Sequence, residues 1–79
     1  MSGRSVRTII ADVLDVPEES LKPDSAPGKV EGWDSLATLG ILAQVEEELD
    51  ITLALEELAE VVTLQQWEDR VREKLARTV

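Results

Sequence analysis

Apolar residues recur along this chain at helical spacing, without the two-residue alternation of a strand. Val6, Ile9, Ile10, Val13 and Leu14 fall at i, i+3, i+4, i+7 and i+8 and predict an amphipathic first helix. Asp15-Val16-Pro17 ends it, because the residue before a proline is pushed out of the helical region. Residues 15 to 34 hold all three prolines and two of the four glycines. They predict one long loop with a turn of helix near Glu18 to Leu21, packed down by Val16, Leu21 and Val30.

Asp34 is placed to cap a second helix over Ser35 to Leu49, which Asp50 closes. Ile51 to Val62 is short and mixed, with Leu55, Leu58 and Ala59 marking one or two inward turns and Glu56, Glu57 and Glu60 on the other side. Thr63-Leu64-Gln65-Gln66 fits a capping box and opens a last helix that turns Leu64, Trp67, Val71 and Leu75 inward. Arg70, Arg72, Lys74 and Arg77 occupy its C-terminal half, where the helix dipole favours cations. The predicted fold is all-α: a small four-helix bundle of three main helices plus one short one, with a long loop between helices 1 and 2.

The second helix carries more apolar faces than a small bundle can bury. Thr38, Leu42, Val45 and Leu49, flanked by Ile41, form one stripe for the core. Leu36, Leu39 and Ala43 lie on roughly the opposite side, continued by Glu46 and Glu47. That second face either packs under the long loop or is offered to another protein. Gly40 costs about 1 kcal/mol relative to alanine inside a helix, and reads either as room for a close backbone approach or as a tolerated defect. Trp33 either covers the loop or lines a surface beside the start of the second helix.

Composition narrows the chemistry. Seventy-nine residues, 43% of them hydrophobic, suit a single domain over residues 1–79 with one core. With no cysteine and no histidine, the chain can build neither a disulfide, a thiolate metal site, nor a Ser-His-Asp or Cys-His catalytic site. No catalytic and no metal-binding residues are therefore assigned, and no Asp-x-Asp-x-Asp-Gly spacing suggests calcium. The net charge is −9, and from Val30 to Asp69 there are eleven acids and no Lys or Arg. Such a middle repels nucleic acid and anionic membrane, and reads either as a solvated surface kept for solubility or as one that steers a basic partner onto it. The start Met1-Ser2-Gly3-Arg4 lacks a signal peptide's hydrophobic core, so a cytoplasmic, monomeric protein is expected, and the initial Met1 and short length suggest a free-standing one.

Ser35 follows the Asp34 cap and so stands at the first helical position, where unpaired N–H groups and the helix dipole favour an anion such as a phosphate ester. Gly32-Trp33-Asp34-Ser35-Leu36, followed by a helix ending Glu46-Glu47-Glu48-Leu49-Asp50-Ile51, closely resembles the acyl carrier protein family. The resemblance runs from about Arg4 to Arg77. It implies that Ser35 receives 4′-phosphopantetheine from coenzyme A through a phosphopantetheinyl transferase, with Asp34 and Leu36 completing the sequence which that enzyme reads. It also implies that acyl or aminoacyl groups ride as thioesters on the thiol of the arm, so that the chemistry belongs to other proteins. Leu36, Leu39, Ala43, Glu46 and Glu47 would form the surface those proteins recognise. The implied partners are a loading ligase or acyltransferase and a ketosynthase or other tailoring enzymes.

Departures from the family pattern shape the subclass. Glu31-Gly32 stands where Leu-Gly is frequent, and Ala37 and Gly40 stand where acids are frequent. These point away from housekeeping fatty-acid synthesis and toward specialised polyketide or mixed peptide pathways. Gly32-Trp33-Asp34 lacks the second glycine usual in peptidyl carriers. The competing readings are an unmodified acidic helical adaptor that holds one protein partner and, with no histidine to serve it, a small hydrolase using Ser35.

Overall fold

In the computed structural model, which describes residues 5–77, Ser5 opens helix α1 (Val6–Leu14) by accepting the Thr8 N–H at its hydroxyl, 3.2 Å away. The Met1 to Arg4 start lies outside the described residues. Val6, Ile9, Ile10 and Leu14 are buried as the spacing predicts, joined by Ala11, while Val13 is only half-buried.

Asp15, and not Pro17, terminates α1. It adopts the left-handed conformation (φ 58°), and the N–H groups of Asp15 and Val16 turn back to the carbonyls of Asp12 (3.3 Å) and Ala11 (3.0 Å). This satisfies acceptors that a helix end otherwise leaves open. Asp50 repeats the left-handed stop (φ 55°) after α2, which spans Ser35–Leu49 as the sequence predicts.

The connection from α1 to α2 is ordered by its own contacts. A 3-10 turn covers Glu18–Ser20, as expected near that position, and Leu21 is buried with Val16 and Val30 half-buried beside it. Beyond the expected packing, Ala26, Ser25 and Trp33 are also buried. The carbonyl oxygens of Ser25 and Pro23 accept the N–H groups of Leu64 (2.8 Å) and Gln65 (3.0 Å). The loop thereby caps the first turn of α4 (Leu64–Arg77), where intrahelical acceptors do not exist. Thr63 adds the predicted capping box: its Oγ1 accepts the Gln66 N–H at 3.2 Å, and Gln66 Oε1 accepts the Thr63 N–H at 3.0 Å.

The core lies where α1, α2 and α4 meet. Ile9, Ile10, Ile41, Val45, Leu64 and Trp67 are fully enclosed. Helix α3 is a single turn, Leu55–Leu58, and its inward face differs from expectation. Leu55 is 71% exposed and Ala59 is exposed, because one turn can direct only Leu58 at the bundle and the flanking Leu53 and Val61 take the buried places. Leu75 is likewise 41% exposed, since the buried side of α4 is completed by Leu64, Trp67 and Val71 and the helix then runs past the cluster. Among the described residues no strand forms beyond one isolated bridge between Pro27 and Val30, and no helix is long and apolar enough to cross a membrane.

Candidate functional site

The start of α2 is held from several directions. Gly32 takes a positive φ of 88°, a backbone state that glycine adopts without strain, and delivers Trp33 into the core. The backbone of Trp33 is bonded on both sides, its N–H to the Val30 carbonyl (3.0 Å) and its carbonyl to the Gly28 N–H (3.2 Å). Its indole, 2% exposed, donates from Nε1 to Thr38 Oγ1 at 3.0 Å. Thr38 Oγ1 in turn donates to the Asp34 carbonyl at 3.0 Å, which also accepts the Thr38 N–H at 2.9 Å. Trp33 thus covers the loop and braces α2, resolving the two roles the sequence left open.

Asp34 caps the helix as predicted, with Oδ1 accepting the Ala37 N–H at 2.9 Å. Ser35 follows at the first helical position, exposed, and its hydroxyl takes no hydrogen bond among the described residues. No histidine or cysteine exists to deprotonate it, and the neighbouring Asp34 carboxylate accepts the Ala37 N–H at Oδ1. The hydroxyl is accessible from outside the protein, with no imidazole or thiolate in the chain to activate it.

Beside Ser35 the second face of α2 stands open. Leu36 is 77% exposed, Leu39 is 50% exposed, and Ala43 and Glu47 are exposed. The loop does not cover Leu36. Glu46 is half-buried, and its Oε2 accepts the Leu53 N–H at 2.9 Å. Leu39 leads into a shallow cleft of about 300 Å³ lined by Pro27, Ser35, Thr38, Leu39, Leu58, Val61 and Val62. Its far wall comes from α3 and the segment after it, which sequence reading did not connect with Ser35. The mixed pattern of 51–62 carries no periodic signal that could have done so.

Ion pairs fix that wall to α4. The Glu57 carboxylate receives Arg70 Nη1 at 2.8 Å and Lys74 Nζ at 2.9 Å, and Glu60 receives Arg70 Nη2 at 3.1 Å. The Ala54 N–H, donating to Glu57 at 3.1 Å, is the largest influence on the Glu57 carboxyl, ahead of Lys74 and Arg70. Together they lower its pKa from the ordinary 4.5 to about 2. The Arg70 guanidinium is held above its usual range, first by Glu60 and then by Glu57.

Comparison with known proteins points to one family. The phosphopantetheine attachment site family matches residues 4–71. Non-reducing polyketide synthases albA of Aspergillus niger and Aspergillus brasiliensis are 41% identical over 66 residues, covering 84% of this chain. The chain spans 3% of the length of those synthases. The solution structure of a holo acyl carrier protein from Geobacter metallireducens superposes with a TM-score of 0.83 at 27% identity, over 92% of this chain and 84% of that one.

Proposed function

This chain belongs to the phosphopantetheine attachment site family, and on that premise we propose that it carries acyl intermediates of polyketide assembly on an arm attached to Ser35. The observation that carries this reading is the free, exposed Ser35 hydroxyl at the first position of α2, between the Asp34 cap and an open apolar face. These residues fit 4′-phosphopantetheine. Oγ is accessible for a phosphodiester, the helix start favours the added negative charge, and the cleft beginning at Ser35 gives the arm an apolar path. When bound, the group supplies a terminal thiol on which cargo is held as a thioester.

The protein residues then do three things. Asp34 holds the helix start in place, Ser35 takes the phosphodiester, and Leu36 projects beside it as a recognition element for the transferase. Leu36, Leu39 and Ala43, with Glu47 at the rim, form the docking face for a phosphopantetheinyl transferase, a loading ligase or acyltransferase, and a ketosynthase. Carboxylates at such a rim accelerate encounter with basic partners without making the complex long-lived, as a shuttle requires. Likeness to the polyketide synthases supports polyketide cargo over fatty-acyl or aminoacyl cargo.

Incubation with coenzyme A and a broad-specificity transferase tests this directly. Mass spectrometry should show the gain of one phosphopantetheine, lost in Ser35→Ala. An unmodified wild-type chain, or modification of Ser35→Ala at another residue, would refute the assignment.

A further inference from the structure

Resting on the assignment of Ser35, we infer that Trp33 is a positioning residue for the attachment reaction, acting through Thr38. The Ser35 hydroxyl stands on the first residue of a helix, where backbone restraint from preceding turns is weakest. Asp34 supplies one restraint through its side-chain cap at Ala37. A second runs through the indole: Trp33 Nε1 donates to Thr38 Oγ1, and Thr38 Oγ1 donates to the Asp34 carbonyl, the group that leads directly into the Ser35 peptide. Since Trp33 is 2% exposed and its backbone is bonded to Val30 and Gly28, this restraint is anchored in the core and not in solvent.

The reaction makes the position of Oγ matter. Oγ of Ser35 forms a bond to the β-phosphorus of coenzyme A while the bond from that phosphorus to the bridging oxygen breaks. The adenosine 3′,5′-bisphosphate leaves with that electron pair, and the Oγ proton passes to a base on the transferase. In-line attack requires the oxygen at a defined place, and a displacement of about 1 Å costs on the order of a hundredfold in rate. The indole relay keeps the helix start, and so Oγ, at that place before the transferase arrives.

The relay also sets the chemistry of the cleft mouth. The Thr38 hydroxyl donates its proton to Asp34 and accepts from Trp33, so it has no donor left for whatever enters beside Ser35, and one acceptor site.

The test compares transferase kinetics of the unmodified full-length chain with Trp33→Phe, which keeps a ring and removes the donor, and Thr38→Val, which keeps the shape and removes the hydroxyl. Because the carrier is the substrate, partial unfolding lowers its effective concentration and raises the apparent KM, whereas misplacement of Oγ lowers kcat. Both variants should lower kcat about tenfold, and Thr38→Ser, which restores the hydroxyl, should return it to within about twofold of wild type. Wild-type kcat in Trp33→Phe and Thr38→Val, or an effect confined to KM, would overturn the inference while leaving the carrier assignment intact. Failure of the wild-type chain to accept the group would overturn the carrier assignment and this inference together.

Discussion

The Glu46 carboxylate accepts the Leu53 N–H at 2.9 Å across the bend that follows α2. Leu53 is 4% exposed, so this acceptor satisfies a backbone donor next to the core. Glu46→Ala should therefore destabilise the protein by about 1–3 kcal/mol, the cost of leaving such a group unpaired. Glu47→Ala, one position along and exposed, should change stability by less than about 0.5 kcal/mol. Urea denaturation of the two variants checks the contrast, and equal effects would contradict it.

Glu57 makes the position of α3 sensitive to acid. Its folded pKa is depressed from 4.5 to about 2, so its stabilising contribution is fully present above pH 4.5 and is lost as pH falls toward 2. Glu57→Gln lacks that dependence. The difference in Tm between wild type and Glu57→Gln should shrink across this window, measured by circular dichroism. A difference that stays constant with pH would show that the clasp on Arg70 and Lys74 carries no proton-linked stability.

Leu39→Asp should leave helix content unchanged, because Leu39 is half exposed, while lowering the rate of loading by partner enzymes on the order of tenfold or more. Loss of helicity in this variant would place Leu39 in the core.

Gly40 has room for a methyl group. An added Cβ would lie 3.6 Å from Val13 Cγ1, an ordinary contact, and the residue sits in an unstrained helix interior. Gly40→Ala should stabilise the protein by up to about 1 kcal/mol, read as a higher denaturation midpoint. A lower midpoint would mean that α1 and α2 approach more tightly than that distance allows.

Trp67 is fully buried, and its indole Nε1 has no hydrogen-bond partner among the described residues. Its contribution is therefore one of packing. Trp67→Ala should cost about 3–5 kcal/mol in equilibrium unfolding, and a loss below about 1 kcal/mol would be inconsistent with a central place in the core.

The main helices were legible in the sequence because their signals are local. The i, i+3, i+4 stripe of α1, the Asp34 cap and the Thr63 to Gln66 box each act within one or two turns, and α2 and α4 start where their caps predict. The exposed place of Ser35 at the first position of α2 was legible for the same reason. Burial at Leu55 and Leu75 was misread because spacing says which residues share a face but not how far the neighbouring helices extend along it. The Glu46 to Leu53 bond joins residues seven apart across a bend, so no helical period announces it. The bonds from Ser25 and Pro23 to α4 use main-chain carbonyls, which every residue possesses and no side chain advertises.

Those carbonyl bonds change how the chain would yield to a protease. A twenty-residue stretch rich in proline and glycine is ordinarily an easy place to cut, because it can peel into an enzyme's groove while the rest stays folded. Here residues 23 and 25 are tied by main-chain bonds to the turn that seats Leu64 and Trp67, so a nick beside them should be slower than in an untethered connection. Cleavage near Pro23 and Ser25 thus reports on how often the first turn of α4 lets go of the loop.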